Sequence, residues 1–392
     1  MKERVILYLK FLFVLSALAM LSSCHDTPAP TPQPEVEPAK GRMVLVYQVA
    51  NNNLSSAANE DYKEMLAGVA EGIGEDNHFL VYRHTRSVAP MLVEITPSGV
   101  DTLFTYDTDT YSVEISRMVE VINDAKKYAN AEQTGLILWS HGSGWIQDGM
   151  TQSAAKRAFG DDGGKRMNTT DLAIAIEEAG AVDWIYFDCC YMMSVESLYE
   201  LRRSARLFVG SVTELQVPGM PYDLNMKYFF APGEADLIGA AQSTFDYYQD
   251  RIAANPGDRN NNYCTMSVVK ASALTELARV TKEIYEKAPS SLPAGFTPQM
   301  YSNYVTLSSC SYFDFGQYAE AMAVSGEDLA VFNAAMSDAV LYAAATPYLR
   351  NTPIDHHSGL STYILRTETS HTTKNYDQLA WYRDVASAIK FQ

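Results

Sequence analysis

The stretch GLILWSHGSGW, residues 135–145, is an apolar run that ends abruptly in His141, Gly142, Ser143 and Gly144. A second stretch follows the same plan. DWIYFDCCYMMSVE, residues 183–196, carries the apolar run Trp184–Phe187 into Asp188, Cys189 and Cys190. Short runs rich in β-branched and aromatic residues, apolar at every position, read as strands buried on both faces. In open α/β sheets, ligands sit beyond the carboxyl ends of such strands. An imidazole and a thiol at two strand ends of one sheet can therefore meet, although His141 and Cys190 lie 49 positions apart. That is the arrangement of a cysteine-nucleophile hydrolase. Only a thiolate attacks well, and an ordinary cysteine with a pKa of about 8.5 is mostly protonated at neutral pH, so an adjacent imidazole has to take the proton or stabilise the thiolate. Gly142, lacking a side chain, lets its amide approach a substrate carbonyl oxygen, and the Cys190 amide supplies a second oxyanion donor. On residue types alone a blander reading stays open, in which His141 is a satisfied strand-end residue and Cys190 a small buried hydrophobe.

Outward from these two stretches the pattern alternates. MVLVYQV at 43–49, HFLVYRH at 78–84 and RLFVGSV at 206–212 read as further strands. Helix-period segments lie between them at 61–71, with Gly72 as the stop, at 113–128, at 170–180, opened by Thr169 and Thr170 and closed by Gly180, and at 194–203. Alternation of this kind predicts an α/β fold with a mainly parallel sheet covered by helices on both faces.

The N-terminal 40 residues read differently. Lys2 and Arg4 precede an apolar run from Val5 to Leu21, broken only by Tyr8, Lys10 and Ser16 and closed by Leu21-Ser22-Ser23-Cys24. This is the pattern of a bacterial lipobox, in which the signal is cut before a cysteine that carries lipid, so residues 1–23 read as a lipoprotein signal peptide and Cys24 as the lipidation site. An ordinary cleaved signal with an incidental cysteine is the alternative. The segment HDTPAPTPQPEVEPAK, residues 25–40, holds five prolines and favours extended, solvated backbone, so 24–41 reads as lipid anchor and stiff linker. An exported protein held at a membrane, with the outer membrane or cell surface as its site, is the expectation. Residues 1–23 carry Lys2, Arg4, Lys10 and Glu3, a net +2, so their removal takes the formal charge from -17 to about -19. With 47 acidic against 30 basic residues and no basic block, nucleic acid is excluded as a partner. A hydrophobic content of 47% over 392 residues fits a large folded body. Four cysteines remain in that body, too few for a disulfide scaffold, and neither a CxxC pair nor a His/Cys cluster of zinc spacing occurs, so no metal site is expected. His356 and His357 are adjacent in a segment that reads as a strand, where neighbours point to opposite faces, so they cannot readily serve one metal.

LILWSHGSGW and WIYFDCCYMMSVE resemble the two signature blocks of the clostripain family of cysteine peptidases: His-Gly-x-Gly-Trp after one strand and Asp-x-Cys-x-Met-x-x-x-Glu after a later one. Asp188, Cys190, Met192 and Glu196 fill the second pattern in register. MVLVYQVANNNLSSAANEDYKEM at 43–65, CTMSVVKASALTELARV at 264–280, SYFDFGQYAEAM at 311–322 and HHSGLSTYILR at 356–366 resemble other blocks of the family. The resemblance implies a caspase-like core over 42–255, with 256–392 as an attached C-terminal α/β portion of the same peptidase unit. It implies protein or peptide substrates, with Cys190 as nucleophile and His141 as its partner, and it places Asp188 at the base of the pocket for the residue before the cut, where a carboxylate pairs with Arg or Lys. Asp188 reads equally well as an acidic strand-end residue bonding nearby amides. SVTELQVPGMPYD, residues 211–223, departs from the family's pattern at Met220-Pro221-Tyr222, leaving Glu214 and Asp223 as candidate substitutes for a second acidic group. Family members are made as zymogens that cut themselves between the two signature blocks. Lys156 and Arg157 are the first candidates for that cut here, and Lys165 and Arg166 the second. No cofactor is expected; the resemblance allows calcium, but Asp161-Asp162-Gly163-Gly164 lacks EF-hand spacing. The rival reading is a non-catalytic surface lipoprotein that uses the peptidase fold as a binding scaffold.

Overall fold

The structure is a computed structural model that describes residues 40–146, 159–289, 292–302 and 310–391. Among the described residues its strands include β1 (Arg42–Ala50), β2 (His78–Thr85), β3 (Val88–Thr96), β4 (Gly99–Thr105), β5 (Gln133–Trp139), β6 (Phe159–Asp162), β7 (Lys165–Met167), β8 (Val182–Asp188), β9 (Ala205–Gly210), β10 (Thr265–Lys270), β11 (Phe313–Asp314) and β12 (Val340–Ala345). Nine of them form the central sheet in the order β12-β10-β9-β8-β5-β1-β2-β3-β4. The five middle strands, β9, β8, β5, β1 and β2, pair in parallel. Both margins are antiparallel, with β3 and β4 on one side and β10 and β12 on the other. The sheet is thus mixed, with its parallel part confined to the middle. The margins escape a reading based on apolar runs because β4 is largely exposed and β12 is nowhere fully buried. Since β10 and β12 extend the same sheet, the C-terminal portion continues the body.

Every residue of β1 is buried, as a central strand between two helix layers requires. Its side chains alternate between two cores, Met43, Leu45, Tyr47 and Val49 on one face and Val44, Val46 and Ala50 on the other. The second face continues through Ile137 and Trp139 of β5 and Trp184 and Tyr186 of β8. The helix Ser55–Ala70 covers it, burying Ala58, Asp61, Met65 and Val69. This helix starts six residues before the periodicity predicts, because the Asn52 side chain accepts the Leu54 amide at 2.8 Å and turns the chain directly into it. The other three sequence-read helices appear at Ile115–Ala129, Thr169–Glu178 and Val195–Glu200. The 356–366 segment is less regular than a full strand, since only Ser361–Thr362 pairs, with β11. His357 is held by the Tyr301 hydroxyl at 3.0 Å, and burial lowers its pKa to about 4.

Glu196 joins the segment after β8 to the C-terminal residues 362–376. Its Oε1 accepts from the Thr362 hydroxyl at 2.8 Å, the Tyr363 amide at 2.8 Å and the Tyr376 hydroxyl at 3.1 Å, while Oε2 is buried with no hydrogen-bond partner among the described residues. Burial raises its pKa to about 7, so the fold favours the protonated acid. The linked stability, about 3 kcal/mol, is fully present below about pH 4.5 and is lost as pH rises through about 7. Asp61 and Asp188 act in the same direction, so the test is a difference. Thermal melts of Glu196→Gln should fall less between pH 5 and 8 than those of the parent, and an unchanged fall would contradict this role.

Candidate active site

The carboxyl ends of β5 and β8 open into a cavity of about 680 Å³. His141, Gly142, Asp188, Cys190, Glu214 and Arg166 all line it, so most of the residues singled out in the sequence converge there. Register explains the convergence. Trp139 of β5 pairs directly with Asp188 of β8, so the next residues of the two strands leave the sheet side by side.

Gly142 lies against the backbone of Cys190. A Cβ on it would stand 2.5 Å from the Cys190 carbonyl oxygen and 2.9 Å from its amide nitrogen, so only glycine fits. The Gly142 amide is directed at the Cys190 thiol, which also donates to the Leu215 carbonyl at 3.8 Å. Tyr191, directly after the thiol, has φ of +64°, a left-handed conformation uncommon for a bulky residue. Its amide donates to the Thr213 carbonyl at 2.9 Å, and its ring stacks on Tyr312 at 4.3 Å, which together hold the turn that presents the thiol.

The His141 ring is oriented by a residue that the sequence reading passed over. Asn53, three residues after β1, places its amide oxygen 2.8 Å from His141 Nε2. An amide oxygen only accepts, so this assignment puts the proton on Nε2 and leaves Nδ1 free to act as a base. The run Asn51-Asn52-Asn53 marks the carboxyl end of a third strand of the same sheet, but nothing in the run singles out Asn53. Burial, and to a lesser degree the Arg166 guanidinium, lower the His141 pKa, while burial pushes the Cys190 thiol up to about 12. Both shifts favour the neutral form, imidazole for His141 and thiol for Cys190.

The remaining candidates separate. Asp188 is buried and accepts from the Tyr222 hydroxyl at 2.9 Å and the Met220 amide at 3.2 Å, yet it still faces the cavity. Burial lifts its pKa to about 7. Glu214 lines the cavity but is paired, accepting from Tyr263 at 2.9 Å and from Arg350 at 3.1 Å. Asp223 lies outside the cavity, exposed in the first turn of the helix Tyr222–Phe229. Neither supplies a free second acid. Lys165 and Arg166 sit in the β6–β7 hairpin, where Arg166 is ion-paired with Asp161 at 2.6 Å. Lys156, Arg157 and Cys24 lie outside the described residues. Among the described residues no group of three or more His, Cys, Asp or Glu is placed to hold a metal.

A helix-covered sheet with a thiol and an imidazole at neighbouring strand ends of one cleft is the architecture of a cysteine peptidase, and the comparisons give it a family. The clostripain family (Peptidase_C11) model matches residues 46–391, and the chain belongs to that family. It is 29% identical to a secreted C11 cysteine protease from Bacteroides thetaiotaomicron solved with an irreversible peptide inhibitor, over 88% of this chain and 99% of that one, with a TM-score of 0.75. An inactive zymogen C11 protease from Parabacteroides distasonis is 27% identical over 91% of this chain and 100% of its own, also with a TM-score of 0.75. No curated protein matches.

Proposed function

We propose that this cysteine peptidase is an endopeptidase that cleaves after Arg or Lys, with Cys190 as nucleophile and His141 as its proton acceptor and donor. The observation that carries the reading is the shared cavity, in which Cys190, an oriented His141 and a buried carboxylate, Asp188, face one another's space. As the Cys190 Sγ bonds to the scissile carbonyl carbon, His141 Nδ1 takes the thiol proton. The Gly142 and Cys190 amides receive the oxyanion, a contribution of about 10²–10³ in kcat for each such donor. The C–N bond then breaks as the imidazolium gives its proton to the departing amine, and water activated by the same imidazole hydrolyses the thioester.

Selectivity rests on Asp188. A P1 guanidinium or ammonium entering the cavity meets a carboxylate already desolvated by the fold, so pairing is strong. Asp188→Asn should lower kcat/KM on Arg- and Lys-ended fluorogenic peptides about a hundredfold or more, an effect of about 3 kcal/mol, while P1 Leu or Ala peptides gain relative to them. Cleavage confined to acidic or apolar P1 peptides in the parent enzyme would remove the claim.

Activation in this reading is self-cleavage in the loop 146–168, first of all after Lys156 or Arg157, in keeping with the zymogen among the relatives. Cutting after Arg166 is disfavoured, because β7 would have to leave its hairpin and its ion pair with Asp161 to reach the thiol. Export and lipid attachment through Cys24 complete the reading, in line with the secreted relative.

A further inference from the structure

Asp61 is the buried charge that the reaction described above leaves unused. It projects from the helix Ser55–Ala70 toward the sheet, is 2% exposed, and accepts the Trp139 indole N–H at 2.6 Å on Oδ2. Trp139 is the register partner of Asp188, and the two residues lie on the same face of adjacent parallel strands. Asp61 and Asp188 are thus neighbours across one indole, and both line the cavity that holds Cys190. The walls around them come from Leu54 and Ala57 on one side and from Leu215–Gly219 on the other. Gly219, at φ +81°, brings its backbone against Asp188, where a Cβ would stand 3.1 Å from Oδ1. Neither carboxylate has an ion-pair partner among the described residues.

Two carboxylates buried side by side without a cation form a costly arrangement, which the hydrogen bonds from Trp139, Tyr222 and the Met220 amide offset only in part. Acidic groups on the packed elements add to the cost. Glu60 and Glu64 lie on the helix that carries Asp61, and Asp223 stands beside Glu64 on the helix Tyr222–Phe229. The Tyr222 hydroxyl faces both carboxylates, and Tyr186 and Tyr248 face Asp188. Burial raises the pKa of both carboxyls, and the Asp188 charge adds to the rise at Asp61. The pair thus favours keeping a proton that an entering cation would displace.

We propose that Asp61 is a second specificity-determining carboxylate of this pocket, which with Asp188 forms a two-acid floor that grips a planar guanidinium and releases a proton on binding it. The inference rests on the basic-P1 reading above and deepens it from a charge to a geometry. A guanidinium offers five donors in a fixed fork and can serve two carboxylates at once, whereas an ammonium is a compact point charge that one carboxylate satisfies nearly as well. The floor therefore favours Arg over Lys. The proton count is simple: the cation enters, one carboxyl proton leaves for solvent, and the pocket goes from one negative charge to two as it pairs. Basic-substrate affinity consequently rises with pH while the shared proton is being lost.

The test compares parent and Asp61→Asn on matched peptides with Arg, Lys or Ala before the cut, from pH 5.5 to 9, with rates normalised to the alkylatable Cys190 thiol. In the parent, kcat/KM for the Arg peptide should rise about tenfold more between pH 6 and 8 than for the Ala peptide, which subtracts the titration of His141. Asp61→Asn should abolish that extra rise and raise KM for Arg about tenfold, with kcat changed less than KM and Lys affected less than Arg. An unchanged Arg-to-Lys ratio and pH profile in Asp61→Asn would overturn the inference while leaving basic specificity standing. A parent that cleaves after neither Arg nor Lys would overturn both readings. Should Asp61→Asn fold poorly, benzamidine binding to Cys190→Ala can be followed by calorimetry at pH 7 in buffers of different ionisation heat. Release of about one proton is expected, and binding without proton release contradicts the shared-proton floor.

Discussion

Cys190→Ala is expected to abolish peptide hydrolysis, with kcat reduced about 10⁶-fold and the melting temperature nearly unchanged. The loss is chemical, since no other described thiol reaches the cleft floor in the same way. Cys264 and Cys310 are buried elsewhere in the fold, and Cys189, although it borders the cavity, is itself buried, with burial pushing its thiol pKa well up. Cys189→Ala should therefore keep activity within a few fold of the parent, apart from a modest packing cost. Hydrolysis of a fluorogenic Arg or Lys peptide by the two variants, side by side, reads the result. Full activity in Cys190→Ala would reassign the nucleophile.

His141→Ala carries the second large effect, about 10⁴-fold in kcat, with a signature in its pH profile. With His141 as the proposed base, burial holds its pKa below the usual value, so kcat of the parent should reach its plateau once pH passes through that lowered value. Without the imidazole the rate must follow the thiolate fraction of Cys190, whose pKa lies near 12. At saturating substrate, residual kcat of the variant should then climb about tenfold per pH unit from 7 to 9 while kcat of the parent stays level. A level profile in His141→Ala would show that another group takes the proton. Asn53→Ala should give a smaller loss, in kcat more than KM, because it frees the ring without removing it.

The sequence and the structure agree most closely where one physical rule dominates. β1, β5 and β8 are apolar at nearly every position because both faces of the sheet are covered, so their length and location were legible, and with them the positions of His141 and Cys190. β4 was not, since it exposes most of its residues and carries no buried-strand signature. Asn53 and Asp61 were illegible for another reason. Each gains its meaning from a partner distant in sequence, His141 for one and Trp139 for the other, and nothing local distinguishes Asn53 from its two neighbouring asparagines or Asp61 from a solvated helix acid. Glu214 and Asp223 show the reverse. Both stood in sequence as substitutes for a missing second acid, but Arg350 pairs with the first and the helix Tyr222–Phe229 carries the second out of the cleft. The upward shift of the Cys190 thiol was also hidden, because it comes from burial by residues distant in sequence.

The most direct measurement labels the protein with an irreversible peptide inhibitor carrying Arg or Lys before its reactive group and locates the adduct by peptide mass spectrometry. The account predicts a single adduct on Cys190, formed in the parent and absent from Cys190→Ala. An adduct on Cys189, on Cys264 or on any residue other than Cys190 would contradict it.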